Sequence, residues 1–244
     1  MNVTLTFSVA NAKLVKLAEA YDKVVKTFSL PSGWTCPGAS ECLSKADATS
    51  GKIKDGNQTQ FRCFQASAEA LYPPLRNMVW NNLGLLKERK SKAEMAVLIK
   101  SSLPNKFDIM RVHVGGDFFS QVYFDAWIEV ANLMPEKVFY AYTKSLTFWV
   151  ARLGSIPKNL SLTASRGGKH DELIDLHHLK CAEVVFSIGE SEQKGLEIDH
   201  DDSHAVFGNK SFALLIHGTQ PKGSKASKAL QALKKVGVKG YSAK

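Results

Sequence analysis

The 244-residue sequence has no long hydrophobic run, only four cysteines and no low-complexity linker. No apolar stretch approaches the roughly 18 residues that a helix needs to span a bilayer. The N-terminal residues have neither the basic start nor the apolar stretch of a signal peptide. A composition of 44% hydrophobic and 23% charged residues excludes a disordered chain and a disulfide miniprotein. We therefore expect a soluble protein without a membrane partner, in a reducing cytoplasm.

Acidic residues are missing from the C-terminal segment. Residues 221–244 contain seven lysines and no Asp or Glu, so they carry most of the net charge of +9. A basic segment neutralises phosphates, which predicts a nucleic acid or nucleotide as partner. A solvated helix that keeps the protein in solution explains the same lysines. No pattern in the sequence indicates the oligomeric state.

Short apolar strands alternate with helical patterns along most of the chain. The strands are predicted at 24–30, 109–114, 137–143, 159–165, 182–188 and 212–218. This alternation is typical of βαβ crossovers and a parallel sheet, either a partly closed barrel or a doubly wound open sheet. We predict one domain over residues 1–220, with a cysteine-containing loop at 33–63, followed by a basic helix and tail at 221–244.

Polar residues follow each predicted strand, where parallel α/β folds place their chemistry. The segments are 29–36, 113–120, 142–145, 163–170, 187–191 and 217–224. Lys144 ends the third strand, where a lysine binds phosphate or carboxylate, or acts as a base once desolvated. A lysine that reaches solvent is the structural alternative. We interpret these strand ends as one rim of a site and Lys144 as a candidate catalytic residue.

Three cysteines, Cys36, Cys42 and Cys63, lie in the loop that follows the first predicted strand. Thiolates bind zinc or the irons of an iron–sulfur cluster. A structural zinc site needs a fourth ligand, whereas three thiolates with an open position suit a [4Fe–4S] cluster that binds a further group. Three unliganded thiols are the third interpretation. The fourth cysteine, Cys181, precedes an apolar strand and is predicted to be a small buried side chain.

Gly115, Gly116 and Asp117 close the second predicted strand. Glycines there let a ligand approach the backbone, and the carboxylate could hold an ammonium group or a ribose hydroxyl. A turn followed by a helix cap, with Asp117 or Ser120 capping a helix over 120–133, explains the same residues.

The segment 196–204 is dense in polar side chains that bind metals or move protons. They are Asp199, His200, Asp201, Asp202 and His204. We predict acid–base chemistry by Asp199, His200 and Asp202, because carboxylates outnumber soft ligands. An extended segment would place Asp199 and Asp202 on opposite faces. An exposed polar loop is the structural alternative.

A cysteine loop after the first strand, a GGD tripeptide after the second and six βα units resemble the layout of radical S-adenosylmethionine (SAM) enzymes. The resemblance implies a parallel-stranded partial (βα)6 barrel, similar to a TIM barrel. It implies a [4Fe–4S] cluster on the three cysteines, SAM at Gly115, Gly116 and Asp117, and Ser165 at the ribose or carboxylate. The sequence departs from that family in having C-x5-C-x20-C instead of C-x3-C-x2-C, and GGD instead of GGE.

The chain also resembles an uncharacterised phage protein family, the gene product 88 group. The matching blocks include FSLPSGWTCPGASECLSKAD (28–47), RCFQAS (62–67), RVHVGGDFFSQVYFDAW (111–127), FYAYTKSLTFWVARL (139–153), LTASRGGKHD (162–171) and GLEIDHDDSHA (195–205). The resemblance begins near residue 10 and implies a phage or prophage origin, hence the cytoplasm of an infected host. It implies no function.

Three functional hypotheses follow from these patterns. The first is a radical SAM-like metalloenzyme that acts on a nucleotide or nucleic-acid substrate. The second is a zinc-bearing, transglycosylase-like barrel enzyme that modifies nucleobases, with Asp117 and Asp199 as catalytic carboxylates. The third is a phage protein that binds nucleic acid without catalysis.

Overall fold

A computed structural model describes residues 3–238. Its strands are β1 (Ser8–Val9), β2 (Val25–Thr27), β3 (Ser44–Ala46), β4 (Ile53–Asp55), β5 (Ile109–Arg111), β6 (Val138–Thr143), β7 (Leu160–Ser165), β8 (Cys181–Val185) and β9 (Phe212–Leu215). Its helices are α1 (Ala12–Tyr21), α2 (Phe64–Leu71), α3 (Pro73–Lys87), α4 (Lys92–Ser102), α5 (Gln121–Asn132), α6 (Leu146–Val150), α7 (Glu172–Leu176), α8 (Ile188–Gln193), α9 (Ser203–Val206) and α10 (Lys225–Lys235).

The central sheet has seven strands in the order β1-β2-β5-β6-β7-β8-β9. From β2 to β9 every neighbouring pair is parallel, as the alternating pattern predicts. The edge strand β1 pairs antiparallel with β2. It has only two residues, which are too few to show an alternating sequence pattern. The fold is therefore a mixed α/β fold with a mostly parallel sheet.

The helices begin and end where local chemistry satisfies their terminal groups. Asn11, Ser91 and Ser120 accept hydrogen bonds from the first backbone N–H groups of α1, α4 and α5. Pro73 begins α3 directly after α2, because a proline cannot continue the hydrogen-bond ladder of a preceding helix. A short break before the Ser91 cap separates α3 from α4.

Apolar side chains alternate between the two faces of the sheet. In β5, Ile109 belongs to a core cluster with Leu14 of α1 and Tyr140 of β6. The next residue, Met110, belongs to the larger cluster that contains Trp127 of α5. Both faces of the sheet are thus covered, as expected where crossover helices lie against parallel strands.

The cysteine-containing loop is more ordered than its composition predicts. Its residues 44–55 form a hairpin in which β3 and β4 pair antiparallel, apart from the central sheet. A run rich in Gly, Ser, Asp and Lys has no apolar alternation, so sequence periodicity missed this hairpin.

The last helix, α10, packs against the sheet through Ala226 and Leu233, which share a cluster with Val185 and Leu215. Its lysines Lys225, Lys228, Lys234 and Lys235 face solvent. Two further lysines of the predicted tail, at 239 and 244, lie outside the described residues. Over residues 3–238, no helix has the length and apolar character to cross a membrane.

Candidate functional site: a cysteine-lined cavity

A cavity of about 170 Å³ opens at the C-terminal ends of the parallel strands. Its lining comprises Cys36, Ala39, Cys42, Phe61, Arg62, Cys63, Phe64, Arg111, His113, Val114, Gly115, Gly116, Asp117, Tyr142, Thr143, Lys144, Ser165, Val184, Leu214, Ile216 and His217. All three loop cysteines, the GGD residues, Lys144 and Ser165 therefore meet at one place. Five of the six predicted strand ends therefore converge with the loop, since His217 comes from the sixth, whereas the segment 187–191 contributes no residue to this lining.

The three thiols are half-buried and reduced, and they affect one another electrostatically. Burial raises the pKa of Cys36, and the charges of Asp117, Cys63 and Cys42 raise it further. Burial also raises the pKa of Cys42, and it raises that of Cys63 to about 12. The thiols are therefore protonated at neutral pH in the protein alone, and a bound cation would favour their thiolate forms.

The loop segment Cys36–Cys42 is held against the turn that follows β7. The backbone of Gly167 accepts a hydrogen bond from the N–H of Glu41 at 3.0 Å, and Gly38 accepts one from Lys169 at 2.9 Å. A Cβ on Gly38 would lie 1.9 Å from the backbone oxygen of Lys144, so only glycine allows this approach. We call these contacts the clasp.

The turn Arg166–Lys169 has two glycines before a helix, a pattern that can cradle an anion. The N–H groups of Gly167 and Gly168 instead donate to the carboxylate of Asp171, at 2.7 and 2.9 Å. These donors stabilise the turn that makes the clasp, so they do not serve an external anion.

Asp117 is buried at the cavity wall and connects β5 to β6. Its carboxylate accepts hydrogen bonds from the hydroxyl of Thr143 at 2.6 Å, the N–H of Lys144 at 2.8 Å and the N–H of Phe118 at 2.7 Å. Burial raises the pKa of Asp117 to about 6, although these donors oppose the shift. The helix cap of α5 is Ser120, one of the two alternatives that the sequence left open.

The two glycines before Asp117 make room for protein atoms. A Cβ on Gly115 would lie 2.0 Å from the side chain of Gln65, and one on Gly116 would lie 2.7 Å from the hydroxyl of Thr35. Gly116 also has a φ of 81°, in the left-handed region that favours glycine. The close packing of the loop and α2 against the end of β5 thus explains by itself why both positions are glycine.

Lys144 is buried, and its ammonium group is held by the end of β7. It donates to the backbone oxygen of Ser165 at 2.7 Å, to the Ser165 hydroxyl at 3.1 Å and to the backbone oxygen of Arg166. The lysine that the sequence places at the rim therefore joins two strand ends through these bonds.

Two histidines from the predicted rim segments 113–120 and 217–224 also line the cavity. Burial lowers the pKa of both His113 and His217 to about 3, so both are neutral at pH 7. His113 has a φ of 68°, a backbone conformation that residues other than glycine seldom adopt. Its Nε2 lies 2.9 Å from the hydroxyl of Tyr123. The position of His113 after β5, among the polar strand ends, is the sequence signal that indicates a place at the site.

One protein family has a sequence profile that matches the chain. The gene product 88 profile matches residues 4–235, nearly the whole chain. The chain belongs to the gene product 88 family. No curated protein and no solved structure is significantly similar to it. The family assignment confirms the resemblance found in the sequence, whereas the resemblance to radical SAM enzymes receives no support from these comparisons.

In this gene product 88 chain, two of the other predicted catalytic residues, Asp199 and Asp202, belong to a separate buried network. The ammonium group of Lys13 lies 2.6 Å from Asp199 and 2.6 Å from Asp202. Asp202 also pairs with Arg111 at 2.6 Å and accepts a hydrogen bond from the hydroxyl of Tyr140 at 2.8 Å. Burial alone would raise the pKa of Asp202, but the charges of Arg111 and Lys13 hold it well below its ordinary value.

The network borders the cavity. Arg111 and Tyr142 line the cavity, and both also contact Asp202, with the Tyr142 hydroxyl donating at 3.0 Å. Among the described residues, Asp199, His200 and Asp202 are not part of the cavity lining. Of the four candidate catalytic residues, Lys144 alone is therefore in this cavity lining.

The predicted alternation of residues 199–204 is wrong. Asp199 and Asp202 contact the same lysine, because Asp202 has a φ of 70° and directly precedes the short helix α9, so the segment is not extended. His204 contacts Asp199 at 3.1 Å and Glu197 at 2.9 Å.

Within residues 3–238, no three His, Cys, Asp or Glu side chains are grouped so that they could hold a metal ion. A tetrahedral zinc with bonds of about 2.3 Å brings its sulfur ligands within about 4 Å of one another. The three cysteines instead surround a common cavity. A group that binds all three must span that cavity or draw the loop inward.

Proposed function

We propose that this chain is a phage-encoded, radical SAM-like metalloenzyme that holds a [4Fe–4S] cluster on Cys36, Cys42 and Cys63. Its substrate would be a nucleotide or a nucleic acid. The observation that carries the proposal is the convergence of three thiols, separated by 5 and 20 residues in sequence, on one cavity at the C-terminal strand ends.

We also propose that the sheet curves as a partial (βα)6 barrel. Its parallel strands follow one another in chain order, without the reversal that marks a doubly wound sheet. Val25 of the first parallel strand and Phe212 of the last belong to one core cluster. Side chains from both ends of the parallel array share one core most simply when the sheet is curved.

The electrostatics of the cavity support a cationic occupant. Three thiols and the Asp117 carboxyl face the same space, and each Cys36 or Cys63 thiolate is opposed by burial and by neighbouring negative charge. A cation at the thiols would reverse this penalty. Arg111 pairs with Asp202 and Arg62 with Asp55, so neither is free to offset it. The charge of Lys144 lowers the pKa of Cys42, but burial outweighs it and the pKa stays raised.

The residues present suit a cluster through the soft character of three thiols and the open position that they leave. When bound, such a cluster supplies the electron that cleaves SAM. Lys144 would hold the ends of β6 and β7 in place, and Asp117 would accept a hydrogen bond from an ammonium group. Its Oδ2 accepts one N–H in the structure and so retains capacity for a second donor.

The volume of the cavity has different consequences for a cluster and for SAM. About 170 Å³ accommodates a compact group but lies below the roughly 300 Å³ at which sites for larger organic ligands begin. SAM would therefore require the loop 33–63 to move away from the strand ends.

The zinc-bearing alternative places its two catalytic carboxylates, Asp117 and Asp199, at one substrate. In the structure Asp117 lines the cavity, whereas Asp199 is buried beside Lys13 and His204. This separation favours the cluster proposal.

The test is anaerobic purification followed by iron, sulfide and zinc analysis and a visible absorption spectrum. We expect a brown protein with about four irons, and loss of iron and colour in the Cys36/Cys42/Cys63→Ala variant. The matched control is Cys181→Ala, which removes a buried thiol away from the cavity and should retain the iron.

Each other outcome has a defined meaning. Iron retained by the triple variant, or lost equally in Cys181→Ala, would contradict the assignment of the ligands. One zinc without colour would favour the transglycosylase-like alternative. If iron is present, equilibrium binding of SAM to the reconstituted protein tests the second half of the proposal, and Asp117→Ala should weaken that binding while iron content stays unchanged.

A further inference from the structure

A second concave surface lies beside the cavity. The hairpin β3–β4 and the turn before Cys36 form an open groove of about 880 Å³. Its lining includes Trp34, Lys45, Lys52, Lys54 and Asp55. We call it the hairpin groove.

Two lysines of the hairpin groove are placed where they repel each other. Lys45 and Lys54 are direct cross-strand partners in the β3–β4 ladder. Like charges in this position destabilise a hairpin. In the part of the chain that the structure describes, neither lysine forms an ion pair with an acidic side chain. The hairpin thus keeps an unfavourable pair that an anion between the two ammonium groups would stabilise.

The two carboxylates of the hairpin groove are engaged elsewhere. Asp55 pairs with Arg62 at 2.5 Å. Asp47 accepts hydrogen bonds from the N–H groups of Thr49 at 3.1 Å and Ser50 at 2.7 Å. Arg62 thus neutralises one carboxylate, and the three lysines of the hairpin groove outnumber the other, so the groove offers a net positive charge to a ligand.

An exposed tryptophan lies among these lysines. The side chain of Trp34 is 48% exposed, although its indole N–H donates to the backbone oxygen of Ala46 at 2.9 Å. The edge of Trp80 supports it at 5.6 Å between ring centroids. The Lys45 ammonium lies 4.7 Å from the centre of the Trp34 ring. A fixed, exposed aromatic ring beside flexible cations is the combination with which proteins bind unstacked bases and their phosphates.

The hairpin groove and the cavity share a wall. Asp55 lines the groove, Arg62 lines the cavity, and the two residues form an ion pair. Trp34 is two residues from Cys36. A polymer in the groove would therefore pass next to the cavity mouth.

We propose that the hairpin groove binds single-stranded nucleic acid, with a phosphate between Lys45 and Lys54 and a base against Trp34. A single strand is favoured over a duplex because the bases of a duplex are stacked on one another and do not present a free face to the ring. This inference names the substrate class of the proposed enzyme and in that respect rests on the proposed function. The binding itself is measured without cluster or SAM.

The experiment is fluorescence anisotropy with a labelled oligothymidylate of about 15 nucleotides and the full-length protein. We expect Lys45→Gln/Lys54→Gln to weaken binding by about tenfold and to reduce the slope of log affinity against log salt by about 1.4, or 0.7 for each lysine. Binding should quench tryptophan fluorescence in the wild type, and this quenching should be lost in Trp34→Phe.

The matched control is Lys87→Gln/Lys100→Gln, which removes two exposed charges from α3 and α4 and should retain wild-type affinity. A further variant, Lys228→Gln/Lys235→Gln, tests the predicted phosphate contacts of α10. The groove variant should be at least as stable as the wild type in thermal unfolding, because it removes a repulsive pair. Loss of binding in that variant is therefore distinguishable from loss of fold.

Four outcomes would overturn the inference. They are equal affinity of groove variant and wild type, a loss confined to the α10 variant, equal binding of a duplex of the same sequence, and equal competition by polyglutamate. An RNA strand that binds as well as the DNA strand supports it, because the contacts are to bases and phosphates. Failure of groove binding with iron bound at the cysteines would leave the cluster proposal intact, and the reverse result would leave the groove intact.

Discussion

The cysteine-lined cavity and the buried ion network share Arg111 and Tyr142, yet they treat charge in opposite ways. In the network, each carboxylate of Asp199 and Asp202 contacts a cation within 2.6 Å. In the cavity, burial and like charge both oppose ionisation of the thiols. The carboxylates of the network are paired with cations, which indicates a structural role, whereas the thiols of the cavity stay protonated and a bound cation would favour their thiolate forms.

The comparison is tested most severely by removing the cation that the two carboxylates share. We expect Lys13→Met to lower the free energy of unfolding by about 3–5 kcal/mol, because it leaves buried negative charge uncompensated. The measurement is urea denaturation followed by circular dichroism. Lys16→Met, an exposed change in the same helix, should shift stability by less than about 1 kcal/mol. Equal effects of the two variants would show that the network is not a structural requirement.

The cavity side of the comparison predicts slow thiol chemistry. A pKa of about 12 for Cys63, against an ordinary value of 9.0, lowers its thiolate fraction near pH 8 about a thousandfold. We expect iodoacetamide to label Cys63 far more slowly than a cysteine in the urea-unfolded chain, with a rate that still rises above pH 10. Peptide mass spectrometry measures both rates. A rate that levels off near pH 9 would show that burial does not raise the pKa of this thiol.

The third prediction concerns Asp117 and has the smallest expected effect. Its folded pKa of about 6 lies above the ordinary 3.8, so the folded state binds the proton more tightly than the unfolded state. Protonated Asp117 therefore stabilises the folded state below pH 4. This contribution to the free energy of unfolding, about 3 kcal/mol, is lost as pH rises from about 4 to about 6.

Asp117→Asn removes this titration. The difference in unfolding free energy between wild type and variant should change across pH 4–6 and remain constant from pH 7 to 8. The contribution of Asp202 has the opposite sign, since its lowered pKa gives stability that is lost only as pH falls below 3.8. A difference that stays constant across pH 4–6 would show that Asp117 is not desolvated.

The sequence predicted what depends on regular patterns. Apolar runs located the six parallel strands, and the rule that parallel strands present their chemistry at one edge brought Cys36, Asp117 and Lys144 together. The cluster and the catalytic roles stay predictions.

What the sequence did not reveal depends on distant pairs and on local backbone exceptions. Lys13 and Asp199 are 186 residues apart and meet only because α1 covers one face of the sheet. The sequence contains one weak indication of this pair: Lys13 is a charged residue inside an apolar periodic segment, as Arg111 is in its strand. The left-handed backbone of Asp202 broke the alternation expected for its segment, and no residue pattern announces such a conformation for an aspartate.

The clasp also has a consequence for the order of events during synthesis. Gly38 and Ala39 leave the ribosome more than a hundred residues before Gly168 and Lys169, the residues that fix them. The three thiols consequently emerge early but reach their final positions only after β7 and its following turn have been made. A nascent chain would present separate cysteines instead of a finished ligand set, so loading of a metal group would follow translation of the sheet.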